Sequence, residues 1–92
     1  MTKRATIRTG DRVRLTEKFN ILWMPENFTQ EAGTCTFNSC HVIYVFDDEV
    51  VYTVVSTFTA RNHRGYSTYR AVCLLLPNGS TWCAYHDHVR KV

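Results

Sequence analysis

"LLLPNGSTWC", residues 74–83, carries the clearest punctuation in the chain, and its reading decides the fold. Pro77 pre-sets φ for the first central position of a type I turn, and Asn78 suits the second. Gly79 then accepts the left-handed conformation that closes a three-residue hairpin loop with a bulge. That turn pairs Leu76 with Ser80, Leu75 with Thr81, Leu74 with Trp82 and Cys73 with Cys83. A two-residue Asn78-Gly79 turn would instead pair Leu74 with Cys83. Proline favours the longer loop, because it starts turns well and serves a ladder poorly. In this register Cys73 and Cys83 face each other at a non-hydrogen-bonded position, where side chains approach most closely. Val72, Leu74 and Trp82 fall on the core face.

Working outward, the same vocabulary recurs. Runs of Val, Ile, Thr, Tyr and Phe are bounded by turn residues across 92 residues, which marks a single all-β domain. "IRTGDRVRLT" gives a Gly10-Asp11 turn and a strand with Val13 and Leu15 inward and Arg12 and Arg14 outward. "TCTF" is a second strand. "NS" at 38–39 leads into "CHVIYVF", and "DDE" at 47–49 leads into "VVYTVVSTFT". A polar loop precedes "YSTYRAVCLLL", which is followed by "TWCAYH" and a tail, "DHVRKV". Residues 17–33 keep no period, contain Pro25 and read as a long irregular loop. Five or six antiparallel strands of this size close most economically as a small barrel or a strongly coiled sheet.

"GDRVRLTEKF", a long irregular loop, "GTCTF", a hairpin pair and a short closing strand resemble the layout of SH3-like barrels, including KOW-type and Tudor-like modules. The resemblance covers most of the chain but lies in element order. It implies a non-catalytic binding module of unspecified partner, and assigns no functional residues.

The thiols and imidazoles admit two other chemistries. Cys35, Cys40, Cys83 and His86 have spacings open to zinc, with His41 and His88 in reserve. Strand parity sends Cys83 and His86 to opposite faces, however, and no tight Cys-x2-Cys pair is present, so four separately packed cysteines without metal are expected. "CAYHDH" holds a thiol, imidazoles and a carboxylate, but parity divides them in the same way, and neither an enzyme nor a cofactor is expected. No secretory leader is legible in "MTKRATIRTGDR", nor any apolar run of spanning length. The expectation is a cytoplasmic protein with reduced thiols, engaging neither membrane nor small-molecule substrate.

Charge is more informative. Lys3, Arg4, Arg8, Arg12 and Arg14 crowd the first fourteen residues against Asp11 alone, within a chain of net charge +3. Arg61, Arg64 and Arg70 follow later, with Tyr66 and Tyr69 beside them, and Arg90 and Lys91 close the chain. If these share one rim, they form a surface for nucleic acid or a ribonucleoprotein, with charge for phosphates and rings for bases. Arg8, Arg12, Arg14, Arg61, Arg64, Arg70, Tyr66 and Tyr69 are its candidate contacts.

An alternative surface is "FNILWMPENF", residues 19–28. Its apolar residues either plug the barrel or dock a protein. With Ile21 and Leu22 inward, Trp23, Met24 and Phe28 are left as protein contacts. That reading describes a small inhibitor or adaptor of the kind phages and mobile elements encode, using this loop and an edge strand.

Overall fold

The computed structural model of the chain describes residues 6–16, 20–47, 49–62 and 67–92. Among the described residues nine strands form one sheet: β1 (Arg12–Leu15), β2 (Ile21–Glu26), β3 (Thr29–Glu31), β4 (Thr34–Phe37), β5 (Ser39–Tyr44), β6 (Tyr52–Asn62), β7 (Thr68–Leu75), β8 (Thr81–Tyr85) and β9 (Val89–Lys91). The ladder order is β3-β4-β6-β7-β8-β2-β5, with β9-β1 attached to β6. Among the described residues there is no α-helix, and no helix long and apolar enough to cross a membrane.

The β7–β8 hairpin follows the Pro-Asn-Gly turn. Leu75 pairs with Thr81, Leu74 with Trp82 and Cys73 with Cys83. The Leu76 amide donates to the Ser80 carbonyl at 2.9 Å, and the Gly79 amide to the Leu76 carbonyl at 3.0 Å. Gly79 has φ +87°, which glycine alone adopts without strain. Asn78 locks the turn by accepting from the Ser80 amide at 3.0 Å. Val72 and Leu74 are fully buried, and Trp82 packs against them half-buried.

Residues 17–33 depart from the expected irregular loop. From 21 to 44 the chain makes one long hairpin, bent near Asn27 and Asn38. Its near half pairs β2 with β5 and its far half pairs β3 with β4. The tip is a two-residue turn of Ala32 and Gly33, with φ +51° and +80°, the doubly positive geometry of a tight hairpin. Pro25 sits inside β2 without loss. The Val45 amide bonds the Asn20 carbonyl, so alternation makes Pro25–Cys40 a pair that needs no amide from the proline.

This hairpin sets the topology. β2 joins β8 through one bridge, Trp23–Cys83, while β4 runs parallel to the distal half of β6. The expectation of antiparallel pairing alone therefore fails at β4–β6. The sheet is not closed into a barrel. Its kinked hairpin instead coils one face over the central strands, and both faces acquire a core. One cluster gathers Val13, Leu15, Leu22, Tyr52, Val54, Val72, Leu74, Ala84 and Val89. The other, on the opposite face, gathers Trp23, Cys35, Phe37, Ala60, Ala71 and Cys83. β7 lies between them, so its continuous apolar run is that of a strand covered on both sides.

Candidate nucleic-acid interface

The structure divides the expected basic rim in two. Arg12 stands opposite Thr53 near the start of β6, whereas Arg61 lies near its end. Eight residues of strand separate those positions, about 26 Å at 3.3 Å per residue. Arg64 and Tyr66 lie outside the described residues.

The first group is the denser. Arg12 and Arg14 alternate with buried Val13 and Leu15 on β1, so both project from the outer face and are exposed. On β9, Arg90 is exposed directly across from Arg14. The Val92 amide donates to the Arg12 carbonyl and the Thr16 amide to the His88 carbonyl, which makes Arg14–Arg90 a hydrogen-bonded pair. Two guanidinium groups thus rise from neighbouring backbone positions about 5.5 Å apart. No carboxylate is paired with either among the described residues. Like charges so placed destabilise a sheet by a few tenths to about 1 kcal/mol, unless an anion bridges them. Arg8 is exposed beside them, and its amide donates to Asp11 Oδ2 at 2.8 Å. Lys91 Nζ lies 3.4 Å from the same carboxylate. The Arg8 amide first, with Lys91 assisting, holds the Asp11 carboxyl below its usual range. Lys91 is thereby neutralised locally, whereas Arg12, Arg14 and Arg90 have no such carboxylate among the described residues.

The second group borders a half-open cleft of about 930 Å³, lined by Tyr69, Arg70, Tyr85, His86 and His88 among others. Beneath it runs a chain of rings. Trp23 lies 5.5 Å from Phe37 and 5.2 Å from Tyr85, and Tyr85 lies 5.6 Å from Tyr69, edge to face. Tyr69 ends the chain with 54% of its surface exposed. Burial, more than the nearby Cys40 and Tyr69, pushes the Tyr85 hydroxyl up, keeping that ring neutral. Arg61 is exposed and faces Thr68, on the side of the ladder opposite Tyr69.

Register relates the two groups. Arg12 faces Thr53, Thr53 faces Leu75, and β7 then alternates through Cys73 and Ala71 to Tyr69. Arg12, Arg14 and Tyr69 therefore stand on the same side of the sheet, with Arg12 about 20 Å and Arg14 about 26 Å from the level of Tyr69 along the strands. Sequence reasoning found Arg12, Arg14 and Tyr69 but omitted Arg90 from the contacts. Its signal was the tail "HVRKV", whose alternation puts Arg90 opposite the buried Val89.

The candidate protein contacts separate differently. Trp23, expected outward, is 3% exposed, because the hairpin lays it into the second core beside Cys83. It is thus no direct contact for a partner. Met24 and Phe28 are exposed at 39% and 50%. The expected edge strand is β5, whose outer side pairs with no described strand and which exposes Val42 and Tyr44, followed by Phe46.

The "CAYHDH" stretch does not continue as a strand. Residues His86–His88 form a 3-10 turn, so parity stops at Tyr85. Among the described residues no three His, Cys, Asp or Glu side chains converge as metal ligands. All four cysteines are unbonded. No protein-family model, curated protein or solved structure matches this chain.

Proposed function

We propose that this protein is a non-catalytic module that binds single-stranded nucleic acid, free or within a ribonucleoprotein. Arg12, Arg14 and Arg90 hold the backbone, and Tyr69 offers a ring to a base. The observation that carries this reading is the unpaired Arg14–Arg90 couple on the same side of the sheet as the exposed Tyr69. Opposed guanidinium groups are an arrangement that phosphate stabilises. A half-exposed tyrosine on a rigid aromatic stack loses little entropy when a base stacks on it, and such contacts contribute about 1–3 kcal/mol. Along the strands Arg12 stands about 20 Å from the level of Tyr69 and the Arg14–Arg90 couple about 26 Å, a span of about six to eight nucleotides at a stacked rise of 3.4 Å. Arg70 adds charge at the cleft, and Arg8 at the opposite end.

Fluorescence anisotropy with labelled single-stranded and duplex oligonucleotides at low salt tests it. The single strand should bind more tightly, and Tyr69→Ala should weaken it about 5–100-fold. Absence of binding to any DNA or RNA sets the reading aside.

A second reading has its own observation, the unguarded edge of β5. Alternation from the Val45–Asn20 hydrogen bond turns the amides and carbonyls of Cys40, Val42 and Tyr44 toward that edge. Ser39–Tyr44 contains no Lys, Asp, Glu or Pro to discourage strand addition. A protein partner adding a strand here would contact Val42, Tyr44 and Phe46, with Met24 and Phe28 nearby in sequence on β2 and after it. Val42→Lys should abolish such an interaction and leave oligonucleotide binding unchanged.

A further inference from the structure

Cys73 and Cys83 are the only register-paired cysteines in the described ladders. Counting from the Leu76–Ser80 hydrogen bond, they occupy a non-hydrogen-bonded position, where opposed Cα atoms are about 4.5 Å apart. That separation lies at the short end of the range a disulfide spans, about 4.4–6.8 Å. A bond there is formed without moving the strands, but is strained and readily reduced, as regulatory rather than structural disulfides are.

The two sulfurs are not equivalent. Cys83 is 8% exposed, beside its cross-strand partner Trp23. Cys73 is on the same face as Cys83 but partly exposed, opposite Ser56. The register sets Cys83 directly across from Cys73 on β8 and Ser56 across from it on β6, so a thiol and a hydroxyl flank its sulfur. These neighbours, with Cys83 foremost, favour the thiolate at the more accessible sulfur, while burial disfavours it at Cys83.

We propose that Cys73 and Cys83 form a thiol–disulfide exchange site that reacts with small-molecule disulfides, Cys73 attacking and Cys83 resolving. The Cys73 thiolate attacks one sulfur of R–S–S–R, forming a mixed disulfide and expelling RS⁻, which takes up a proton. The Cys83 thiol then loses its proton and attacks the Cys73 sulfur, forming the Cys73–Cys83 bond and expelling the second RS⁻. In total two protein thiols are oxidised and one disulfide is reduced to two RSH. The neighbouring Cys83 thiol holds Cys73 below the ordinary thiol value, which favours the nucleophilic thiolate there. The converse interaction and burial push Cys83 up, which makes it slow to react on its own. Cys35 is fully buried, and burial pushes its thiol up as well. Cys40 is exposed on β5 without a cysteine opposite, since its register partner is Pro25.

The test is incubation of the reduced full chain in buffers of graded oxidised-to-reduced glutathione, followed by acid quenching, alkylation and peptide mapping by mass spectrometry. The expected product is a chain two hydrogens lighter, with a Cys73–Cys83 cross-linked peptide and with Cys35 alkylated. Cys83→Ser should stop the reaction at a glutathione adduct on Cys73, and Cys73→Ser should leave Cys83 unmodified. A glutathione adduct that stays on Cys73 of the wild-type chain would overturn the proposal. So would cross-links that join Cys40 between chains while Cys73 remains alkylated, or no oxidation of Cys73 at any ratio. The wild-type peptide map decides the matter even if a variant fails to fold.

Discussion

Trp23 lies directly across from Cys83, and that single pair is the bridge that joins the 21–44 hairpin to β8. The indole fills the second core against Phe37, Phe58 and Tyr85, with ring centroids 5.5, 6.0 and 5.2 Å away. Its Nε1 finds no hydrogen-bond partner among the described residues. Trp23→Ala should therefore cost about 3–5 kcal/mol of stability in urea unfolding. Trp23→Phe should cost much less, because removing the orphaned N–H regains about 1–3 kcal/mol that offsets the lost volume. Equal losses for the two variants would contradict this account of the indole.

The Arg14–Arg90 couple predicts a dissociation of stability from binding. Either arginine replaced by Ala relieves like-charge repulsion, so thermal stability should hold or rise by up to about 1 kcal/mol. Oligonucleotide affinity should fall in the same proteins. A variant that lost stability along with binding would show the arginines to be structural.

The hairpin tip makes a backbone prediction. Ala32 holds φ +51°, so Ala32→Gly should stabilise the fold by about 1 kcal/mol. A Cβ at Gly33 would meet nothing within 4 Å, so Gly33→Ala should destabilise through its φ of +80° alone, by about 1–2 kcal/mol. Chemical denaturation of the two variants should give opposite signs.

Acid should loosen the β1–β9 corner. The Asp11 carboxyl is held below its ordinary value of 3.8, so its contribution is fully present above that pH. It is lost as pH falls through the lowered value. Unfolding monitored from pH 5 to 2 should show Asp11→Asn with a shallower acid limb than the parent. Parallel limbs would remove Asp11 from that role.

Much of this architecture was legible because local chemistry and tertiary packing agreed. Pro77, Asn78 and Gly79 specify one turn, and the turn fixes the register of β7 and β8 down to Cys73–Cys83. The 21–44 hairpin was harder. Pro25 reads as a strand breaker, yet sits where no amide is required, and Ala32 is an unusual residue for a positive φ. "FTQEAGTCTF" nevertheless held the pattern of a two-residue turn between short strands. Parallel pairing of β4 with β6 leaves no local trace, because the partners are distant in sequence and meet only after the hairpin folds over. The candidate site was legible as residue types and not as a map. Charge density marked Arg12, Arg14 and Arg70, but only the length of β6 shows that Arg61 stands far from Arg12.

The most direct measurement of the central proposal is the salt dependence of single-strand binding by the wild-type protein and by Arg14→Ala/Arg90→Ala. With phosphate contacts from Arg8, Arg12, Arg14 and Arg90, log Kd against log salt should have a magnitude of about 2.8. Raising salt from about 50 to 200 mM should then weaken binding about 50-fold, and the double variant should reduce the slope by about 1.4. A wild-type slope near zero, or a double variant with the parental slope, would contradict the account.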